Sequence, residues 1–171
     1  MRQETLRRLL WQSPLGPIDL WATEGGLVRL GFPATEAAAQ CWAERWFGVP
    51  PQPATPDDGL LSEAVRQLDE YLRGARRVFD LPLALCGTPF QQEVWRALLG
   101  IPWGATLTYR ELAARVGRPA AVRAVGAANG ANPLSIVVPC HRVIASDGAL
   151  RGYSGGLDLK RTLLALEASA G

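Results

Sequence analysis

Cys140 and His141 are the residues of this sequence whose types and spacing could carry out nucleophilic chemistry. They lie in the segment 136–144 (IVVPCHRVI), where apolar, mostly β-branched residues flank them, so we expect their surroundings to be largely buried. A cysteine becomes a nucleophile when a base or a cation lies near it, and His141 and Arg142 could supply both. The alternative is an inert buried cysteine beside a satisfied core histidine. Adjacent residues of a strand point in opposite directions, so a direct contact would require a bend or a bridging water.

The three cysteines do not predict a metal site. Cys41, Cys86 and Cys140 lie far apart, and with a single histidine they match no zinc-ligand spacing. Their odd number is a poor framework for disulfides and fits a reducing compartment. The sequence has no apolar segment of signal-peptide or membrane-spanning length, so we expect a cytoplasmic protein.

The charges are distributed unevenly along the 171 residues. Residues 1–86 have 9 arginines against 11 acidic residues, a net charge of −2, whereas residues 87–171 have 9 basic against 5 acidic residues, a net charge of +4. A basic second half is compatible with a polyanionic partner and equally with a solvated charged surface.

The first half of the chain has the pattern of an α/β domain. Two helical segments, 34–47 and 60–74, flank four prolines that we expect to exclude regular structure from residues 48–59. Residues 76–85 could return to the sheet as an edge strand, since Pro82 cannot donate within a central one. Three apolar or alternating segments separated by turn signals predict an antiparallel meander: 7–12, 17–23 and 26–32. We therefore predict an N-terminal α/β domain over residues 1–85.

From residue 86 the pattern changes to short helices, which predicts a mainly α C-terminal domain over 86–171. Thr88-Pro89-Phe90-Gln91 is typical of a capped helix start, and that helix should reach Leu99. Thr108 and Glu111 repeat the capping pattern and open a second helix. A third helix is predicted over residues 119–130, with Pro119 in its first turn and Gly117 ending the helix before it. Two short helices joined by a tight turn are typical of a helix-turn-helix.

The helix predicted over 119–130 is almost bare of large side chains. It consists mainly of alanine and glycine, and Arg123 is its only charged residue. A smooth helix of this kind either packs closely against a neighbouring helix or approaches DNA at the backbone and minor groove without reading much sequence. The composition alone favours packing.

Several motifs follow one another in a fixed order through the second half of the chain. They are Asn132-Pro133, Pro139-Cys140-His141-Arg142-Val143, Gly152-Tyr153-Ser154-Gly155-Gly156-Leu157, Lys160, Leu163-Leu164 and Glu167. The stretch from Phe90 to Glu167 thereby resembles the catalytic domain of O6-alkylguanine-DNA alkyltransferases, the methylated-DNA–protein-cysteine methyltransferases. Residues 13–32 are similar to the ribonuclease-H-like α/β lobe of that family.

This resemblance implies a reaction and the residues that would perform it. Cys140 would take the alkyl group of O6-alkylguanine as a thioether, in a single turnover that needs no cofactor and spends the protein. His141 would accept the thiol proton through a water, Glu167 would orient His141, and Asn132 would order the turn beneath the site. The resemblance leaves open whether O4-alkylthymine is also repaired.

It also implies how the damaged base would be bound. Tyr109 would face the purine, and Ser154 would lie near O6. The main-chain groups of Cys140 and Val143 would recognise the exocyclic amine. Tyr153 and Gly155, in the same turn as Ser154, would complete the substrate site. The DNA contacts would be Arg123, which fills the space of a base rotated out of the duplex, together with Thr108, Ala124, Ala127 and Gly130. We expect a monomer that binds double-stranded DNA through the minor groove.

Three other functions compete with this one. A lesion sensor related to the family would bind alkylated DNA without chemistry, although such relatives lack the reactive cysteine. A thiol hydrolase would use Cys140 and His141 with turnover, and a transcription factor would use the helix-turn-helix with sequence preference. Some family members hold zinc in the N-terminal lobe; here we expect no metal, with Cys41 and Cys86 as packing residues.

Overall fold

The computed structural model describes residues 5–32 and 35–169, which fall into two compact units that meet in sequence between Cys86 and Gly87. The first unit is built on a four-stranded sheet in the order β3-β2-β1-β4. Its elements are β1 (Arg7–Ser13), β2 (Gly16–Thr23), β3 (Gly26–Gly31), α1 (Glu36–Phe47), β4 (Gln52–Pro53) and α2 (Gly59–Leu72). The predicted meander of β1 to β3 is antiparallel throughout and is confirmed. The predicted start of the first helix, Ala34, lies outside the described residues.

The first unit has apolar core on the side of α2, whose Leu61, Leu68 and Tyr71 are fully buried, and a further cluster between the sheet and α1. Trp21 of β2 meets Trp42 of α1 edge to face, with ring centroids 5.6 Å apart, and Val28 and Ala39 pack in the same cluster. Burying a large apolar side chain contributes roughly 1.5–3 kcal/mol, so these contacts stabilise α1 against the sheet.

The proline-rich segment contains regular structure, contrary to prediction. β4 runs parallel to β1, because the amides of Gln52 and Ala54 donate to the carbonyls of Leu6 and Arg8, each at 2.8 Å. Pro53 lies between these two donors, at a position whose backbone nitrogen points away from β1 and forms no hydrogen bond with it. An edge strand tolerates a proline under that condition, and the sequence prediction missed it.

The segment 76–85 is less regular than predicted. It forms one isolated bridge to β3, in which Leu27 donates to Pro82 and accepts from Ala84, both at 2.8 Å. The approach is close, because a side chain on Gly26 would lie 2.6 Å from the Pro82 carbonyl oxygen. Pro82 supplies no amide of its own, so the pairing cannot lengthen on the Pro82 side of the bridge.

The second unit is mainly helical. Its elements are α3 (Pro89–Leu99), β5 (Leu107–Thr108), α4 (Tyr109–Arg115), α5 (Val122–Gly130), β6 (Val143–Ile144) and α6 (Leu157–Ser169). Both predicted capping boxes are present: Thr88 with Gln91 opens α3, and Thr108 with Glu111 opens α4. α3, α4 and α5 pack against one another, and β5 pairs in parallel with β6 beside them. No helix within the described ranges is long and apolar enough to cross a bilayer.

α5 begins at Val122, three residues later than predicted. The residues before it form a turn in which the Ala121 amide donates to the Arg118 carbonyl at 2.9 Å. Pro119 is therefore the second residue of a turn, a position that its fixed φ also suits, and not the first residue of a helix.

Candidate functional site

The loop that leads to Cys140 is tied together by one buried side chain. Asn132 donates from Nδ2 to the Val138 carbonyl at 2.8 Å, and its Oδ1 accepts from the Leu134 amide at 2.9 Å. Both ends of residues 134–138 are thus bonded to one amide group. This fixes the direction from which the chain enters Cys140.

Within this loop the backbone takes two very tight turns. Ile136 has a φ of +73°, and the Val137 amide donates across it to the Ser135 carbonyl at 2.9 Å, which makes a γ-turn of the rare left-handed form. A second γ-turn, of the common form, centres on Pro139, where the Cys140 amide donates to the Val138 carbonyl. A β-branched residue at positive φ costs of order 1–3 kcal/mol and persists only where the surroundings enforce it.

The reactive segment is a single 3₁₀ turn, Cys140–Arg142, and not the strand that the apolar pattern suggested. Successive side chains of such a turn diverge by about 120°, which supplies the bend that the sequence argument required. The expected burial is confirmed, because Cys140 is 5% exposed and His141 is fully buried. Cys140 is a free thiol.

His141 and Glu167 form a buried pair that connects the 3₁₀ turn to α6. The Nε2 of His141 lies 2.7 Å from the Oε1 of Glu167. An ionised carboxylate only accepts hydrogen bonds, so this contact places the imidazole proton on Nε2 and makes Nδ1 the basic nitrogen of the neutral ring.

The same carboxylate holds Arg142, which the sequence had suggested only as a cation for the thiol. Arg142 donates from Nε to Oε2 and from Nη2 to Oε1 of Glu167, both at 2.9 Å, and from Nη1 to the Ile101 carbonyl at 2.5 Å. The Gly104 amide adds a longer bond to Oε2 at 3.3 Å. The guanidinium fork fits the two carboxylate oxygens at once, so Glu167 is held in a single orientation.

Burial dominates the protonation of the thiol and the imidazole. It raises the pKa of the Cys140 thiol, against smaller opposing effects from Asn132 and the charge of Lys160. It lowers the pKa of His141, against the hydrogen bond to Glu167. Both effects favour the uncharged form, so at neutral pH the resting site holds a thiol and a neutral imidazole.

Lys160 is a second buried cation that was matched to a motif but given no role. Its ammonium donates to the carbonyls of Val143, at 2.6 Å, and Arg151, at 2.9 Å. The hydroxyl of Tyr109 also donates to the Arg151 carbonyl, at 3.0 Å. Four segments of the chain are therefore linked beside Cys140, and two of them carry predicted substrate residues, Tyr109 and Val143. A buried ammonium group needs hydrogen-bond acceptors, and here two backbone carbonyls supply them. The place of Lys160 among the motifs was the only sign of this role in the sequence.

The other predicted substrate residues lie in the turn that precedes α6. Ser154 is exposed, with its hydroxyl oxygen 3.3 Å from that of Ser135, while Tyr153 and Gly155 are partly buried. Burial raises the pKa of Tyr153 well above its usual value, ionisation of Cys140 to the thiolate would raise it further, and a hydrogen bond with Ser135 opposes the rise. The same two causes raise the pKa of Tyr109. The electrostatic influence of Cys140 thus reaches both tyrosines.

The predicted DNA-contacting residues of α5 share one exposed face. The opposite face is buried, with Val125 and Ala128 in the core and the indole of Trp95 donating to the Ala128 carbonyl at 2.8 Å. The exposed residues are Arg123, Ala124, Ala127 and Gly130. Close helix packing does not account for these small side chains. Thr108 lies elsewhere, as the cap of α4, with its hydroxyl bonded to Glu111.

The two remaining cysteines differ from the prediction that both pack. Cys86 is partly buried against the core cluster of the first unit, but Cys41 is exposed on α1. Ala39 and Ala43 face the core, and Cys41 stands two positions from each, which places it on the opposite side of the helix. Within residues 5–32 and 35–169, no three His, Cys, Asp or Glu side chains are grouped so that they could hold a metal ion.

A sheet-rich unit followed by a helical unit, with a buried thiol beside an imidazole and a carboxylate, is typical of a two-domain protein that uses cysteine as a nucleophile. Residues 6–85 match the family described as 6-O-methylguanine DNA methyltransferase, ribonuclease-like domain, and residues 89–169 match its DNA binding domain. The chain belongs to this family.

Individual relatives resemble the chain over most of its length. The methylated-DNA–protein-cysteine methyltransferase of Methanosarcina barkeri is 47% identical over 156 residues, which cover 91% of this chain and 93% of that protein. The O6-methylguanine methyltransferase of Mycobacterium tuberculosis has a crystal structure that superposes with a TM-score of 0.81 at 44% identity, over 98% of this chain and 95% of that one. Mycobacterium tuberculosis OGT in complex with DNA superposes with a TM-score of 0.79, also at 44% identity, over 98% and 94%.

Proposed function

We propose that this protein repairs DNA by direct reversal, moving the alkyl group of O6-alkylguanine onto Cys140 in one irreversible turnover. The observation that carries the proposal is the buried thiol of Cys140 beside the His141–Glu167 pair. Family membership and the DNA complex of the Mycobacterium tuberculosis relative support DNA as the partner.

The reaction follows from the protonation of the resting site. The thiol of Cys140 passes its proton to Nδ1 of His141 through a water, while Glu167 stabilises the imidazolium that results. The sulfur attacks the alkyl carbon, a carbon–sulfur bond forms, and the bond from that carbon to O6 breaks with its electron pair left on guanine. Guanine then takes up the proton from His141. A thioether has no proton to lose, so the nucleophile is not regenerated.

The substrate side of the proposal assigns donors to the charge that develops on guanine. Ser154 lies near O6 and Tyr109 faces the purine, with Tyr153 and Gly155 shaping the turn. The main-chain groups of Cys140 and Val143 bind the exocyclic amine. The bonds from Lys160 to the Val143 and Arg151 carbonyls support this assignment. They hold the backbone of β6 and of the segment that leads into the turn with Ser154.

On the DNA side, α4, the turn and α5 act as a helix-turn-helix that docks in the minor groove of double-stranded DNA. The exposed face formed by Ala124, Ala127 and Gly130 is shallow enough to approach the backbone closely. The target guanine rotates out of the stack, which costs a few kcal/mol, and Arg123 fills the space it leaves. Thr108, at the start of α4, adds a contact near the same groove.

The remaining parts of the proposal concern architecture and setting. We assign the first domain, residues 1–85, to the ribonuclease-H-like fold and residues 86–171 to the catalytic domain. The match of residues 6–85 to the ribonuclease-like domain supports the first assignment. We expect a cytoplasmic monomer that needs no cofactor.

The test is the intact mass of the protein after incubation with a duplex that holds one O6-methylguanine, followed by peptide mapping. We expect a gain of one methyl group on Cys140 that saturates at one equivalent, and no gain in the Cys140→Ser variant. Tight lesion binding without a mass gain would show a damage sensor, and continued turnover would show a hydrolase. Either result would overturn the proposal.

A further inference from the structure

Ser135 is a buried hydroxyl that the reaction above does not use. It is 2% exposed and lies in the loop before Cys140, with its hydroxyl oxygen 3.3 Å from that of Ser154. Two hydroxyls at this distance share one hydrogen bond, and either can be its donor. Which one donates decides where the proton of Ser154 points.

The position of Ser135 is imposed by the backbone around it. Its carbonyl accepts from the Val137 amide across Ile136, the residue at positive φ, and Asn132 bonds the Leu134 amide that precedes it. Energy stored in this turn is maintained only if the surrounding bonds enforce one geometry. The side chain of Ser135 is therefore presented toward Ser154 from a fixed support.

Ser154 belongs to a different segment of the chain from Ser135. It lies in an exposed turn closed by the Gly156 amide, which donates to the Tyr153 carbonyl at 2.9 Å. Because Ser154 is exposed, its proton can point to solvent or to a bound ligand. A buried hydroxyl that donates to nothing costs about 1–3 kcal/mol, and Ser135 has two hydroxyl partners, Ser154 and the buried phenol of Tyr153. When the phenol donates to Ser135, the proton of Ser135 remains for the Ser154 oxygen.

We propose that Ser135 is a positioning residue that donates to Ser154 Oγ and thereby turns the Ser154 proton toward O6 of the alkylated guanine. The inference rests on the proposed function and deepens it. In the reverse arrangement Ser154 would donate to Ser135 and could not donate to O6. A donor that itself accepts a hydrogen bond is polarised by it, so the chain from Ser135 through Ser154 strengthens the bond at the leaving oxygen as charge develops there.

The experiment is a double-mutant cycle in single-turnover alkyl transfer, with the protein in excess over an O6-methylguanine duplex. It compares the wild type, Ser135→Ala, Ser154→Ala and the double variant. The rate constant at saturating protein should fall about fivefold in Ser135→Ala, the worth of one hydrogen bond, with the half-saturating concentration unchanged. The double variant should react at the rate of Ser154→Ala, because Ser135 then has nothing to orient. Ser62→Ala, at an exposed serine of α2, is the matched control and should match the wild type.

Other outcomes are distinguishable from this one. Because each molecule reacts once, the amount of methyl transferred with the duplex in excess gives the active fraction of each variant. A folding defect changes this amount and leaves the rate constant of the active molecules as the measure of Ser135. A Ser135→Ala rate constant equal to that of the wild type, or losses that multiply in the double variant, would overturn the inference alone. No methyl transfer by the wild type would overturn the proposed function and this inference with it.

Discussion

Oε1 of Glu167 lies 2.7 Å from the Nε2 of His141 and, at the same time, accepts from the Arg142 guanidinium at 2.9 Å. One carboxylate therefore orients the imidazole and compensates a buried arginine. The two tasks depend on each other, because a carboxylate that turned to suit one partner would leave the other unsatisfied.

Replacing Glu167 by glutamine should disrupt both tasks. The amide carries a donor where Arg142 also donates, so a buried charge loses its partner, at a cost of about 3–5 kcal/mol in the free energy of unfolding. His141 loses the group that stabilises its charged form, and alkyl transfer should slow by about 100-fold or more. Urea unfolding and single-turnover rates measure the two effects. Glu93→Gln, which breaks an exposed pair with Arg118, is the control and should cost less than about 1 kcal/mol. A Glu167→Gln variant of normal stability would contradict the buried pairing.

The rate of alkyl transfer should depend on pH in a direction set by the two buried groups. The pKa of His141 is lowered from 6.5, so the imidazole stays neutral and able to accept a proton somewhat below that pH. The pKa of Cys140 is raised from 9.0, so the thiol ionises directly only above that pH. We expect a rate that is level between these limits, falls in acid and rises in strong base. A sigmoidal increase centred at about pH 7–8 would instead indicate a thiol with a depressed pKa.

Stability should vary with pH for the same reasons, with opposite signs at the two ends. Below pH 6.5 the unfolded chain protonates its histidine while folded His141 resists, so the free energy of unfolding falls with decreasing pH. Above pH 9.0 the unfolded chain ionises its cysteine while folded Cys140 resists, so stability falls as pH rises. Chemical unfolding of the wild type and Cys140→Ser across this range isolates the contribution of the thiol. Loss of stability in base that is identical in both proteins would refute this prediction.

Asn132→Ala should weaken the loop that presents Cys140. The substitution leaves the buried Leu134 amide without its acceptor, at a cost of about 1–3 kcal/mol, and removes one of the two hydrogen bonds of the Val138 carbonyl, which keeps the bond from the Cys140 amide. The released loop should also let Ile136 relax from positive φ, with slower alkyl transfer as the result. Asn129→Ala offers a comparison at another buried asparagine, whose Oδ1 accepts no hydrogen bond among the described residues, and should cost less. Equal losses of unfolding free energy in the two variants would argue against the proposed role of Asn132.

Arg123→Ala should impair DNA repair without affecting the fold. Arg123 is exposed, so thermal unfolding should not change, whereas transfer from duplex DNA should slow by about tenfold or more because the extrahelical base loses the group that replaces it. Transfer from the free base O6-methylguanine, which needs no base rotation, should be unaffected. Arg73→Ala, at an exposed arginine of the first unit, controls for the loss of one positive charge. Equal slowing on duplex and free base would place Arg123 outside the proposed role.

Local signals in the sequence were enough to predict the framework of the second unit. The capping boxes at Thr88 and Thr108 are each contained in four residues, and both are present. The start of α5 was missed because Pro119 suits a turn as well as a first helical residue, and only the bond from Ala121 to Arg118 decides between them. Similarly, the formation of β4 depends on which of its amides face β1. This is a property of the strand register, and the amino-acid composition of the segment does not predict it.

The site was predicted only where a motif marked it. Cys140 and His141 were singled out by their types and spacing, Glu167 was found by resemblance, and the structure brings His141 and Glu167 into contact. The tasks of Lys160 and Ser135 depend on carbonyl and hydroxyl groups from other segments of the chain. Such partners meet only after folding, so no spacing along the sequence indicates them.

The two outer borders of the four-stranded sheet share a feature that bears on its solubility. One border is β4, which has two residues and includes Pro53. The other border is β3, where a single bridge uses the carbonyl of Pro82. A proline has no amide to offer an incoming strand, and a short border offers few other sites for pairing. The β4 side thus gives a foreign strand little template, and the bridge occupies both backbone groups of Leu27 at the start of β3, which together limit edge-to-edge aggregation.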